Sequence, residues 1–132
     1  MPEPFPLPPH TLEPELERQL EPLCIDLPPE RIAELRQQIA AHVALVLEAT
    51  QYNERLDLTV ARQIARVLTD LLQEHASYPP AHRRLIVGAA RYFVRSRDVQ
   101  FDLTTRSGFD DDITVLDCVL TEIGKSELRI DL

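Results

Sequence analysis

Residues 28–50 read PPERIAELRQQIAAHVALVLEAT, and this stretch decides the fold. Two prolines open it, where a fixed φ suits a first helical turn and the missing N–H costs nothing. Ile32, Leu35, Ile39, Val43, Val46 and Leu47 then recur at three- and four-residue steps, the period of one helix face. His42 lies beside that stripe and reads as a boundary residue. Gln51-Tyr52-Asn53 marks the end of the helix.

The same period continues on both sides. A helix is predicted from about Asp57 to Glu74, with Val60, Ile64, Val67, Leu68 and Leu71 on one face. Ser77-Tyr78-Pro79-Pro80 is a hard stop. The next helix runs from about Ala81 to Arg97. Its core face is Ile86, Ala89, Ala90, Phe93 and Val94, and Arg84, Gly88, Arg91 and Arg95 fall opposite. After a loop over 98–108, a last helix starts at Asp110 or Asp111. Ile113, Leu116, Val119, Leu120 and Ile123 form its stripe, and Gly124-Lys125 stops it. Before residue 28, Thr11 to about Leu23 is a short helix with Thr11 as its N-cap, and Pro22 bends or ends it.

The chain has 132 residues, one domain's worth. Only 3 glycines and 5% aromatic residues oppose a β-sandwich or barrel, whose tight turns favour Gly. Helices with one apolar stripe each, joined by short loops, pack as a bundle. The predicted fold is therefore all-α: a single-domain bundle of about five helices over residues 11–132. Residues 1–10 hold five prolines and read as an extended arm. Phe5 and Leu7 are its candidate anchors on a partner.

Charge narrows the function classes. Net charge is -8, which opposes nonspecific binding to nucleic acid or anionic membranes. The distribution is uneven. Residues 1–30 carry seven acids and only Arg18, whereas residues 79–97 carry five arginines and no acid. The row Arg84, Arg91, Arg95 is thus a candidate contact for an acidic protein surface, including the acidic N-terminal segment of a second copy. No stretch approaches the ~20 apolar residues of a membrane helix, and no signal peptide is visible. Cys24 and Cys118 form no CxxC pair and read as buried free thiols of a cytoplasmic protein. No P-loop, GxGxxG, nucleophile elbow or zinc spacing is present.

One segment carries a sharper signal. Residues 92–112 read YFVRSRDVQFDLTTRSGFDDD. Four or five carboxylates crowd within it, and two like charges about 4 Å apart cost on the order of 4 kcal/mol at an effective dielectric near 20. Helix capping by Asp110, Asp111 and Asp112, pairing of Asp98 and Asp102 with neighbouring arginines, or a hard cation would relieve this. In the last case Asp98, Asp102, Asp111 and Asp112 are the ligand candidates, and Mg²⁺, Mn²⁺ or Ca²⁺ the candidate ion. The spacing is not that of an EF-hand.

The order Tyr92-Phe93, Asp98, Asp102, Gly108, Asp111-Asp112, followed by an apolar helix, resembles the YkvA-like family, a bacterial domain of unknown function. The resemblance covers residues 81–124. Ser96 and Phe101 stand where that family carries prolines. It implies a helix-loop-helix in which Tyr92, Phe93 and Gly108 are structural, and it brings no known reaction. The function expected from the whole chain is a non-catalytic accessory or adaptor protein acting through protein contacts, with no resident cofactor. A metal-dependent protein, such as a hydrolase built on the Asp-rich loop, and a self-assembling oligomer component are the alternatives.

Overall fold

The computed structural model describes residues 5–8, 11–50, 58–95 and 110–130. The fold is all-α, with no strand among the described residues. Its helices are α1 (Pro14–Leu20), α2 (Pro29–Thr50), α3 (Leu58–Gln73), α4 (Pro80–Phe93) and α5 (Asp110–Glu122). Short 3-10 turns at Glu21–Leu23, His75–Ser77 and Ser126–Leu128 follow α1, α3 and α5.

The helix ends follow local chemistry. Prolines open α1, α2 and α4, as first-turn prolines do. Thr11 is not the cap of α1. Its hydroxyl donates to Pro8 O at 2.7 Å and closes a turn ahead of the helix, and Glu13 takes the N-cap position without a side-chain bond. Pro22 sits inside the turn that ends α1. Gly124 ends α5 with φ of 80°, a left-handed conformation in which Lys125 N reaches Leu120 O at 2.8 Å. A glycine adopts that conformation without the Cβ penalty other residues meet.

α4 is the hub. Every residue from Leu85 to Ala90 is buried, so the helix is enclosed on all sides rather than along one stripe. It touches α1, α2, α3, α5 and the 3-10 turns Glu21–Leu23 and His75–Ser77. Leu85, Ile86 and Val87 are fully buried, and each such aliphatic side chain stabilises the fold by roughly 1.5–3 kcal/mol. Around this hub α2 and α3 pack as a hairpin, α5 covers another side, and α1 closes the remaining gap.

Residues 5–8 of the proline-rich arm pack on the molecule itself. Leu7 is buried in the core, and Phe5 is half-buried against it. The two residues expected to anchor a partner therefore tie the described part of the arm to the domain, because burying their apolar surface locally is already favourable. No helix among the described residues is long and apolar enough to cross a membrane.

Candidate functional site

The aspartate-rich segment is only partly in view. Asp98, Asp102 and Gly108 lie outside the described residues. Asp111 and Asp112 fall in the first turn of α5, where the helix dipole favours negative charge. Asp111 is exposed and Asp112 is 6% exposed, so consecutive carboxylates point to different surroundings. Among the described residues no three His, Cys, Asp or Glu side chains gather as a metal site would require. The aromatic pair ahead of the segment is part of the core. Tyr92 and Phe93 are both buried. The Tyr92 hydroxyl approaches Gln19 Oε1 at 3.5 Å, the Arg95 guanidinium lies 5.2 Å from the Tyr92 ring centroid, and Phe93 meets the His42 ring at 4.5 Å.

His42 is not the boundary residue its position suggests. It is 3% exposed, and its Nε2 is buried without a hydrogen-bond partner among the described residues. Burial pushes its pKa down to about 4, since a charged imidazolium would lose its hydration there.

Within the arginine row on α4, Arg91 is held by the chain's own N-terminal segment. Arg84, Arg91 and Arg95 are half-buried. Arg91 Nη1 donates to Leu23 O at 3.1 Å. Cys24 is pressed against Gly88, where any Cβ would overlap its sulfur. Burial raises the Cys24 thiol to about 12 despite the nearby Arg84 and Arg91, so it is an unreactive thiol. Cys24 and Cys118 are both free. Next in the chain, Asp26 forms a latch to the α3–α4 elbow. Its Oδ2 accepts from Arg83 Nε at 3.0 Å, and its Oδ1 accepts from Leu27 N at 3.0 Å and lies 3.2 Å from His75 Nε2. Arg83 also donates to Tyr78 O at 2.9 Å. Burial lowers the His75 pKa, and the Asp26 charge opposes that shift. One acidic-on-basic contact between the N-terminal segment and the start of α4, Asp26 with Arg83, is thus made within the chain.

The surface open to a partner lies elsewhere, on α2 and α3. The second half of α2 is apolar almost all round. Ile39 and Val46 face the core, while Ala40, Ala41, Ala44, Leu45 and Leu47 face solvent. Leu45 is 51% and Leu47 44% exposed; two residues apart, they lie on opposite flanks of α2, with Leu47 on the flank of Ala33, Ala40 and Ala44. Leu47 therefore leaves the stripe its spacing assigns to it, and His42 takes a core position instead. Beside this face a groove of about 750 Å³ runs between α2 and α3, floored by Ile39, Ala40, Val43 and Ala65. Arg36, Arg62 and Arg66 line its edges with Asp70. Those four charged groups form no ion pair with other described residues. The groove can take an apolar helix face flanked by carboxylates.

Sequence reading did not single out this surface. The signal was present: between residues 39 and 47 every residue but His42 is apolar, more than one core-facing stripe can use. The chain matches no family model, no curated protein and no solved structure.

Proposed function

We propose that this chain is a non-catalytic helical accessory protein of the YkvA-like type, working through protein contacts made by the α2/α3 face. The observation that carries this reading is the exposed apolar side of α2 beside the arginine-edged groove. Ala33, Ala40, Ala44 and Leu47 share the exposed flank of α2 that borders the groove, and an apolar flank rimmed by charge has the chemistry of a contact surface. The resemblance over residues 81–124 supports the family assignment, and Tyr92 and Phe93 are structural in this reading.

The test is substitution at the face. Ala40→Glu places a charge on the groove floor at an exposed position, so helix content and Tm should stay near the parent's. Affinity capture from the native cells should then lose the specific bound protein. Equal recovery by the parent and Ala40→Glu would remove the face from the mechanism.

A further inference from the structure

We propose that the occupant of the α2/α3 groove is an acidic amphipathic helix of another protein, with its apolar stripe on the groove floor and carboxylates on both sides of that stripe. This rests on the reading of the α2/α3 face as a contact surface, and adds the chemistry of the partner.

The charge of the groove is opposite to that of the molecule. In a chain of net charge -8, the groove lining holds three arginines and one acid, Asp70. Arg36 stands on the α2 edge, and Arg62 and Arg66 stand one turn apart on the α3 edge. All three are exposed, and none pairs with a carboxylate among the described residues. An apolar floor with cations on either side is the complement of an apolar stripe with acids on either side. A polyanion or an anionic bilayer would meet the net charge of the whole molecule as well as the arginines, whereas a single helix meets the groove alone.

The floor also selects for a helix. Ile39, Ala40, Val43 and Ala65 offer only apolar side chains, and the backbone groups of α2 and α3 at these positions are used within their own helices. An extended peptide laid there would bury N–H and C=O groups with nothing to pair with, while a helix satisfies its own. Alanine at positions 40 and 65 lets a third helix approach closely. The α2 lining runs from Ala33 to Val43, about 15 Å of helix, so about three turns of a partner cover it. Asp70 lies one turn beyond Arg66 and ends the cationic edge, so an uncharged or basic partner residue fits there.

The probe is a synthetic peptide of about three heptads, with leucine at a and d and glutamate at e and g. One control carries lysine in place of those glutamates, and a second keeps the composition but scrambles the order so that no apolar stripe forms. Binding to the full chain is read by fluorescence anisotropy. The acidic peptide should bind at least about tenfold more tightly than either control. The double variant Arg62→Glu/Arg66→Glu, with helix content checked by circular dichroism, should reverse the preference toward the lysine peptide. Asp70→Asn should tighten binding of the acidic peptide by about two- to threefold, by removing a like charge from an exposed edge. No saturable binding of the acidic peptide at high micromolar concentration would overturn the proposal. So would equal binding of the three peptides, or an unchanged preference in the double variant. If the acidic peptide failed while Ala40→Glu still abolished capture of a cellular protein, the acidic helix would fall and the contact surface would stand. If Ala40→Glu changed nothing either, both readings would fall.

Discussion

Gly88 and Cys24 lie far apart in sequence and in contact in the fold. The glycine is helical and needs no special φ; what it supplies is space. A methyl group at position 88 would overlap Cys24 Sγ and press on the Cys24 backbone. Gly88→Ala should therefore destabilise the protein by about 1–3 kcal/mol, despite the better helix propensity of alanine. Urea melts check this, and most of the loss should disappear when Cys24→Ala removes the sulfur. His42 gives a second prediction at this scale. Its pKa is about 6.5 when unfolded and about 4 when folded, so the unfolded chain binds more protons between those values. Stability should be constant above about pH 6.5, fall as pH drops from 6.5 toward 4, and lose up to about 3 kcal/mol from this group. His75 is shifted in the same direction and adds to the trend. His42→Leu keeps an apolar group against Phe93 and should flatten this acid limb; an unchanged slope would assign the pH dependence elsewhere. Periodicity placed His42 near the core but could not say that the Phe93 ring would cover it.

At the scale of the element, the helices themselves were legible. The predicted spans 28–50 and 57–74 agree with α2 and α3 to within a residue or so, because long amphipathic repeats bounded by proline leave little choice. α4 was less legible. Arg84, Arg91 and Arg95 mark one face of it as polar in the sequence, yet Leu85 to Ala90 are all buried. The segment that covers the far face comes from residues 21–27, and no local pattern announces a long-range cover. Asp26 is the charged fastener of that cover. Asp26→Ala should cost about 1 kcal/mol, since the carboxylate is partly exposed, and should raise amide exchange over residues 21–27. It should also lower the His75 pKa further, because the Asp26 charge is what opposes the effect of burial. An NMR titration in which His75 does not move would show that Asp26 has no hold on the elbow.

Over the whole molecule, charge separation has an internal purpose. The acidic N-terminal segment and the basic start of α4 meet through Asp26 and Arg83 in a chain of net charge -8. This leaves the arginines of α2 and α3 as the cationic groups best placed for a partner. The accessory-protein reading also makes a statement about metal. Tm should be the same with EDTA as with added Mg²⁺ or Ca²⁺, and Asp111→Asn should shift it equally in both. A cation-dependent Tm abolished by Asp111→Asn would instead favour the metal-dependent alternative through Asp98, Asp102, Asp111 and Asp112.

The sequence by itself determined the helical class, most helix boundaries and the identity of most core residues. Those properties are local: they depend on a 3.6-residue period, on prolines at first turns and on a glycine at the end of α5. Tertiary structure alone decided which helix became the hub, which arginines were consumed by the chain and which apolar face remained in water. Each of these depends on what one segment finds beside it after the chain has closed. A pattern in one helix records how much apolar surface it carries, not which neighbour arrives to cover it.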